Sequence, residues 1–446
     1  MRRHLLIGTL GRQDNAAIPS APDEIVTRFP LDIQTALRDL KSLHIFPSEI
    51  GVDLLHLAAH VHAADTRISR FTESQDTWTR ELRLVVPVST PQLWAATSDL
   101  LARMLNFLTG DKWAIGFRPR PVRFSSIVPR RSAKLISPPF DSVSLFSGGL
   151  DSLIGAIDAL EAGQIPLLVS HAGEGATSDA QNQCASALNG HYRKNPFNRL
   201  RLWLNFPTNL VRDVESENTT RGRSFLFFAL GVFAGTGINQ PFVLKVPENG
   251  LIALNVPLDV VRLGALSTRT THPFYMERWN DLLRLLGISG TVKNPYWNMT
   301  KGEMVAACRN QRLLIDTIPN SLSCSSPTKG RWQGRAIEHC GYCLPCLIRK
   351  AALQHALGSG NDPTPYTIDN LKEHIFDTLR AEGQQIRSFQ LSIQRLGQNP
   401  DLAKILIHKS GSLADQPQNL AALADVYRRG MAEVAELLSG VRAIPS

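Results

Sequence analysis

The chain has 446 residues, a length that suggests two to three domains of about 150 residues each. Hydrophobic residues make up 43% of it and charged residues 20%, a balance that excludes a disordered chain. The net charge of +9 favours anionic partners without choosing among nucleotides, nucleic acid and acidic proteins. No stretch approaches the ~20 apolar residues of a membrane helix, and the first residues lack a signal-peptide core, so we expect a cytoplasmic protein without a membrane partner.

The first 135 residues predict one α+β domain, which could bind a partner protein. Apolar residues at helical spacing indicate an amphipathic helix over 52–65. A β-rich run indicates a strand over 82–89. Thr90 and the proline after it then suit the start of a helix that continues to about residue 108.

The densest basic run of the chain follows and contains no acidic residue. Its members are Arg118, Arg120, Arg123, Arg130, Arg131 and Lys134. A solvated edge that leads into a linker is the ordinary behaviour of such a run. Contact with nucleic acid is the alternative, although no aromatic ladder accompanies the arginines for stacking on single strands. The sequence therefore leaves a nucleic-acid partner open.

Residues 136–360 predict an α/β domain. After the proline-containing "LISPPFDS", short apolar strands alternate with helices, which is typical of a parallel sheet covered by helices. Ligands of such sheets bind at the carboxyl ends of the strands. Residues 361–446 predict a helical C-terminal region. The predicted strands of the α/β domain are 142–146, 165–173, 199–207 and 241–250, and the predicted helices are 150–162, 178–193, 222–236 and 276–287.

The stretch "SLFSGGLDS" joins the first of these strands to its helix. A helix N-terminus presents unsatisfied N–H groups and the positive end of the helix dipole, which suit a phosphate. Gly148 and Gly149 can adopt positive φ and let an anion approach the backbone, and Ser147 and Ser152 add hydroxyl donors. Asp151 could hold Mg²⁺ beside the phosphates. The loop has no lysine and is therefore not a Walker A loop.

Four of the six cysteines lie close together in the sequence: Cys324, Cys340, Cys343 and Cys346. In a long cytosolic chain such a group indicates metal ligands rather than disulfides. Four thiolates are the number that a closed tetrahedral site requires, so we expect a structural zinc ion. Redox cysteines and an iron–sulfur cluster are the alternatives, because ligand type alone does not choose zinc over iron.

All six positions of "SGGLDS" match the loop of the PP-loop ATP pyrophosphatases, which the central region resembles. With the cysteine set, residues 140–355 are similar to the QueC-like family, the 7-cyano-7-deazaguanine synthases. The resemblance implies an adenine nucleotide alpha hydrolase-like, Rossmann-like fold with ATP and Mg²⁺ as cofactors and with AMP and pyrophosphate as products. It assigns ATP binding to Ser147, Gly148, Gly149, Asp151 and Ser152, of which Ser147, Asp151 and Ser152 are the expected catalytic residues.

Two further segments resemble the family less closely. "RGRSFLFFALG" is similar to the family's G-R-N-x-x-F helix, and Arg223 stands at its arginine. We expect Arg223 to meet phosphate, with a neighbouring carboxylate as the alternative. "NPYWNMTKGEMV" keeps Thr300, Lys301 and Glu303 of a second family segment. Thr300 and Glu303 also have the spacing of a capping box, so their role is either functional or structural.

The chain departs from the family after the fourth strand, where "VPENGLIALNVPL" replaces D-Y-S-G-Y-P-D-C. Glu248 could still accept the N–H groups of a guanine-like base, with Asn249 assisting, or the two residues could form a turn. "STRTTHP" offers Arg269 and His272 for a substrate carboxylate, or is a polar loop before the next helix. Lys301 completes the candidate substrate residues.

The added N-terminal and C-terminal regions resemble the QueC-like proteins of bacterial antiphage operons, particularly those of the Qat system. That resemblance implies activation of the carboxylate of a 7-deazaguanine acid, such as 7-carboxy-7-deazaguanine, followed by amide formation with the N-terminal amine of a partner protein. Three alternatives stay open. They are a synthase that uses ammonia, a tRNA-modifying PP-loop enzyme, and a nucleotide-binding scaffold of a defence complex without turnover.

Overall fold

The structure is a computed structural model. It describes residues 3–445 except 12–13, 16, 32, 75, 130–138, 174, 195–196, 205, 239–240, 259–268, 330–333 and 335. Part of the predicted linker and three members of the basic run, Arg130, Arg131 and Lys134, therefore lie outside the described residues.

The N-terminal region contains a four-stranded, wholly parallel sheet, so it is α/β and not the α+β domain that the sequence predicted. Its order is β2-β1-β3-β4, and the predicted strand over 82–89 is β3. The strands are β1 (Arg3–Thr9), β2 (Glu24–Pro30), β3 (Glu81–Val88) and β4 (Lys112–Pro119). The helices are α1 (Gln34–Ser42), α2 (Glu49–Arg67), α3 (Arg70–Glu73), α4 (Pro91–Ala95) and α5 (Ser98–Thr109). The helix predicted from residue 90 to 108 is thus two helices, and α5 ends at Gly110 in a left-handed conformation.

The central region contains a five-stranded, wholly parallel sheet of order β7-β6-β5-β8-β9. Its strands are β5 (Ser142–Leu145), β6 (Pro166–Ala172), β7 (Asn198–Trp203), β8 (Phe242–Lys245) and β9 (Gly290–Lys293). Its helices are α6 (Leu150–Glu161), α7 (Gly175–His191), α8 (Arg223–Gly235), α9 (Gly250–Leu254), α10 (Pro273–Leu285), α11 (Lys301–Ala307), α12 (Gln311–Thr317) and α13 (Leu344–Leu357). The predicted strands and helices are present, but the strands predicted over 199–207 and 241–250 end early, at Trp203 and Lys245. Since β6 and β8 lie on opposite sides of β5, the strand order reverses at β5, where such sheets bind ligands.

The two sheets share one hydrophobic core. Helix α2 packs against α8, and every residue of α2 from Gly51 to Thr66 is buried. A single cluster of buried side chains joins Leu84 of the N-terminal sheet to Val143 of the central sheet. The helix that the sequence predicts as amphipathic is therefore buried on all sides, because it lies between the N-terminal sheet and α8.

The structure corrects the expectation of a solvated basic edge at two positions. Arg118 and Arg120 are buried, and both form ion pairs inside the N-terminal region. The Nη2 atom of Arg118 lies 2.6 Å from Asp14 Oδ2, and the Nε atom of Arg120 lies 2.9 Å from Asp53 Oδ1. Carboxylates that are distant in the sequence neutralise both guanidiniums, so neither is available to nucleic acid.

The C-terminal region combines helices with a small sheet that the sequence did not predict. Strands β10 (Ile375–Asp377) and β11 (Arg442–Ile444) pair in parallel. The helices are α14 (Ala381–Gln398), α15 (Leu402–Leu406) and α16 (Leu420–Leu437). Helix α16 packs on α13 and α9 and so covers the central region. Among the described residues, no helix has the length and apolar character needed to cross a membrane.

Candidate functional site

The loop "SGGLDS" lies at the carboxyl end of β5 and leads directly into α6. Gly148 has φ +80, and Gly149 is the N-cap of α6 without a side-chain cap. The exposed Ser147 lies with its Oγ atom 3.1 Å from Ser152 Oγ and accepts a hydrogen bond of 3.3 Å from Gly149 N. A helix start whose own N-cap residue has no side chain, beside two hydroxyl groups, has the chemistry of a phosphate site.

Close packing against α7 explains the first of the two glycines. A Cβ atom on Gly148 would lie 2.8 Å from the backbone nitrogen of Gln181, too close for any side chain. The positive φ of Gly148 also disfavours other residues. The loop thus needs glycine there for both conformation and space.

Asp151, in the first turn of α6, is the centre of a buried polar cluster. Its Oδ2 atom accepts hydrogen bonds from Asn249 N at 3.0 Å and from Asn249 Nδ2 at 2.7 Å. Its Oδ1 atom lies 2.5 Å from Lys301 Nζ. Glu248 adjoins them, since its Oε1 atom accepts a hydrogen bond of 3.4 Å from Asn249 Nδ2, and the residue is half-buried. The structure therefore brings together the starts of α6, α9 and α11.

The pKa values of the two carboxyl groups in this cluster, those of Asp151 and Glu248, shift in opposite directions. Burial alone would raise the pKa of Asp151, but Lys301 and hydrogen bonds from its neighbours lower it to about 2. Burial, together with the negative charge of Asp151, raises the pKa of Glu248 well above its usual range. Of the two carboxyl groups, Asp151 therefore ionises first, and Glu248 keeps its proton to higher pH. Paired carboxyls of this kind divide their roles by environment.

The candidate residues Thr300 and Glu303 form a capping box at the start of α11. The Thr300 hydroxyl accepts from Glu303 N at 3.1 Å, and Glu303 Oε2 accepts from Thr300 N at 2.9 Å. Thr300 also bonds Glu433 of α16. These contacts fix the first turn of α11, and Lys301 is the first residue of that helix.

The four cysteines form a compact cluster. Their sulfur atoms all lie within 4.8 Å of one another, with 3.9 Å between Cys324 and Cys343 and 3.9 Å between Cys340 and Cys346. A tetrahedron with zinc–sulfur bonds of about 2.3 Å has sulfur–sulfur edges of about 3.8 Å. The cluster could therefore hold a metal ion such as zinc. Among the described residues, no other group of three or more potential ligands is this close.

Backbone N–H groups around the cysteines donate hydrogen bonds to their sulfur atoms. Cys340 N and Ser326 N each donate to Cys324 Sγ at 3.4 Å, and Cys343 N donates to Cys340 Sγ at 3.3 Å. Cys343 is the N-cap of α13, and Cys346 lies in its first turn, where the helix dipole favours negative charge.

Ser323 connects the cysteine cluster to the loop, a link that sequence reasoning missed. It precedes Cys324, and its Oγ atom accepts from Leu150 N at 3.4 Å and from Arg349 Nη1 at 3.3 Å. The neighbouring Leu322 N donates to Gly148 O at 2.9 Å. The only sequence signal for this link is the position of Ser323 beside a cysteine.

The remaining candidate residues lie elsewhere. Arg223 opens α8 and lines a cleft beside the end of β6. Arg269 donates to Phe107 O at 3.0 Å, and His272 is the N-cap of α10, where its Nδ1 atom accepts from Phe274 N at 3.2 Å. Arg269 and His272 thus have structural contacts with α5 and α10, unlike Glu248, Asn249 and Lys301.

The fold and the cysteine cluster define the class of protein: an α/β protein with parallel sheets and a four-cysteine site that could hold a metal ion. Comparison with models of known protein families finds no match, and no curated protein matches the chain.

Proposed function

We propose that this protein is a PP-loop ATP pyrophosphatase that adenylates a carboxylate and then forms an amide. The observation that carries the proposal is the position of "SGGLDS" at the switch point of a parallel sheet, with Asp151 buried beside Lys301, Asn249 and Glu248. A helix N-terminus without a side-chain cap suits a pyrophosphate group, and oxygen ligands suit Mg²⁺.

The residues of the site have separate roles in this proposal. Ser147, Ser152 and the backbone of Gly148 and Gly149 hold the β- and γ-phosphates. Asp151 would hold Mg²⁺, which, when bound, neutralises phosphate charge. The substrate carboxylate attacks the α-phosphorus and pyrophosphate leaves. Placement and neutralisation of charge supply the catalysis, as in other phosphoryl chemistry.

The proposed acid is a 7-deazaguanine carboxylate, on the strength of the resemblance to the QueC-like family. Glu248 is the candidate residue for recognition of the guanine-like base. Asn249 is already bonded to Asp151 and caps α9, so its role is to hold the catalytic carboxylate. In the second half-reaction an amine attacks the acyl adenylate, the amide bond forms, and AMP leaves with the bonding electrons.

The proposed acceptor is the N-terminal amine of a partner protein in antiphage defence, and ammonia is its alternative. The tRNA-modifying alternative loses support from two observations. Arg118 and Arg120 are buried in ion pairs. Burial also raises the pKa of Cys184 to about 12, which disfavours a reactive thiolate.

Product analysis tests the proposal. Purified protein receives ATP, Mg²⁺ and 7-carboxy-7-deazaguanine, with ammonia in one tube and a candidate partner protein in another. We expect AMP and pyrophosphate, together with a mass shift on the partner; free amide or nitrile would identify the ammonia-dependent reaction. Absence of AMP from both tubes would refute the deazaguanine reaction.

The variant Asp151→Asn separates an enzyme from a scaffold. We expect it to lower AMP formation by about 10²-fold or more, because it removes the charge that would hold Mg²⁺. Asp401→Asn, at an exposed aspartate of the C-terminal region, is the matched control and should keep full activity. A scaffold without turnover would form no AMP in any variant, and Asp151→Asn would leave its function in the defence complex unchanged.

A further inference from the structure

Helix α16 of the C-terminal region packs against two helices, α9 and α11, whose starts carry the partners of Asp151. Its contact with α9 is closest at two glycines. A Cβ atom on Gly430 would lie 2.9 Å from Leu251 of α9, and a Cβ atom on Gly250 would lie 2.9 Å from Val426 of α16. The absence of both side chains lets the start of α9 lie directly on α16.

Glu433 of α16 binds the first turn of α11 with both of its carboxylate oxygens. The residue is buried, at 7% exposure. Its Oε1 atom accepts a hydrogen bond from the Thr300 hydroxyl, and its Oε2 atom accepts one of 3.3 Å from Gly302 N. Thr300 and Gly302 are the neighbours of Lys301 in the chain. Glu433 therefore holds the backbone on both sides of the lysine.

Arg429, one turn earlier in α16, makes a second contact with the same segment. Its Nη1 atom donates to Oε1 of Glu303, and its Nη2 atom donates to Asn298 O at 3.0 Å. Its Nε atom lies 2.7 Å from Asp425 Oδ2 within α16, which fixes the plane of the guanidinium. The two residues that Arg429 binds on this segment stand before and after Lys301, so α16 clamps the whole turn.

The pair that this turn presents needs accurate placement. Lys301 is 4% exposed, and its Nζ atom lies 2.5 Å from Oδ1 of Asp151. Asp151 belongs to α6, so the ion pair joins two separate helices. A buried ion pair is favourable only when its geometry is good, and a displacement of about 1 Å in such a site costs much of its function.

We propose that Glu433 is a positioning residue of this site, which holds the first turn of α11 so that Lys301 stays on Asp151, with Arg429 assisting. Through this contact the C-terminal region becomes part of the site. The consequence for catalysis rests on the proposed function, because Asp151 is the carboxylate that would hold Mg²⁺ there. The positioning itself can be measured without ATP.

Lysine labelling of the full chain makes that measurement. Purified protein is treated with dilute acetic anhydride, and mass spectrometry gives the rate of acetylation of each lysine. The buried amine of Lys301 reacts only when its ion pair opens, whereas the exposed Lys404 reports the reactivity of the reagent. We expect Glu433→Leu to raise the rate at Lys301 by about tenfold and to leave Lys404 unchanged, because it removes two buried hydrogen bonds.

Further variants separate positioning from a general loss of stability. Glu433→Gln keeps one acceptor oxygen and should raise the rate at Lys301 by only about threefold. Arg429→Gln should also raise it by about threefold, whereas Arg428→Gln, at the exposed neighbouring arginine, should not change it. Ile386→Ala, in the core of α14, destabilises the C-terminal region at a different place and should leave the rate unchanged.

The kinetics of AMP formation in the same variants show whether the positioning serves the proposed chemistry. We expect kcat to fall in the order in which labelling of Lys301 rises, with a smaller change in the KM for ATP. Absence of AMP from wild type would refute the proposed function, and labelling would then decide the positioning role by itself. An unchanged rate at Lys301 in Glu433→Leu, or an equal rise in Ile386→Ala, would overturn that role.

Discussion

The Nζ atom of Lys301 lies 2.5 Å from Oδ1 of Asp151, and both side chains are almost completely buried. The contact joins the first turn of α6 to the first residue of α11, and Glu248 is a second ionisable side chain that perturbs the pKa of Asp151. An isolated charge at this depth would be unfavourable, so the pair matters to folding as well as to the proposed chemistry.

Removal of Lys301 should therefore destabilise the protein. Lys301→Met leaves Asp151 buried without its cation, and we expect the free energy of unfolding at pH 7 to fall by about 3–5 kcal/mol. Denaturant titration measures the change. Lys404→Met, at an exposed lysine, is the matched control and should change the free energy by less than about 0.5 kcal/mol. A comparable effect in both variants would contradict the role of the pair.

The raised pKa of Glu248 predicts a particular dependence of stability on pH. A carboxyl whose folded pKa is raised stabilises the fold below its unfolded pKa, near 4.5, and loses that contribution as pH rises towards the folded value. Glu248→Gln stays neutral throughout. Its stability relative to wild type should therefore increase above about pH 4.5, by no more than ~1.4 kcal/mol per pH unit.

Unfolding of wild type and of Glu248→Gln between pH 4 and pH 8 measures this difference. The exposed Glu436 provides the control variant Glu436→Gln. The contribution of Asp151 to stability changes with pH in the opposite direction. Its lowered pKa stabilises the fold above about pH 3.8, and this contribution is lost as pH falls towards 2. A difference between wild type and Glu248→Gln that does not vary with pH would show that folding leaves the pKa of Glu248 unchanged.

Alanine substitutions at two glycines that flank α6 distinguish the cost of backbone strain from the cost of a steric clash. Gly148→Ala adds a clash with the backbone of Gln181 to the strain of positive φ. Gly163→Ala adds only strain, because its φ is +72 and no atom lies within 4 Å of the new Cβ. We expect about 1 kcal/mol of destabilisation at Gly163 and a further ~1–3 kcal/mol at Gly148, measured by thermal unfolding. Equal destabilisation by Gly148→Ala and Gly163→Ala would mean that α7 moves away from the loop to accommodate the new Cβ.

The cysteine cluster predicts one metal ion per chain. Elemental analysis should find it in wild type and find it lost in Cys343→Ser. Cys184→Ala should retain it, because Cys184 is buried outside the cluster. A strong chelator should lower the melting temperature, since a closed thiolate site contributes folding energy. Full metal content in Cys343→Ser would refute the assignment.

Much of the local structure could be predicted from the sequence. The apolar run before "SGGLDS" is β5, the helical pattern after it is α6, and Thr300 and Glu303 form the capping box that their spacing indicates. These features depend on backbone geometry and on contacts a few residues apart. Strand β9 was missed because its four residues, with only Val292 buried, carry almost no pattern.

Local sequence patterns could not predict which of the candidate substrate residues lie close to Asp151. Glu248, Asn249 and Lys301 meet at Asp151, whereas Arg269 and His272 pack near Phe107. Both groups were equally plausible in the sequence. The path of the chain through the parallel sheet separates them, because only the segments after β5, after β8 and at α11 converge on Asp151.

The sequence by itself therefore determined the strand–loop–helix unit around Asp151 and the grouping of the four cysteines, because each depends on residue type and short spacing. The tertiary structure alone decided that Arg118 pairs with Asp14 and Arg120 with Asp53 in the interior. It also decided that α2 lines a cleft together with His171 and Arg223. Such contacts join segments that are far apart in the chain. Their free energy comes from packing and charge pairing that exist only after the two sheets have come together.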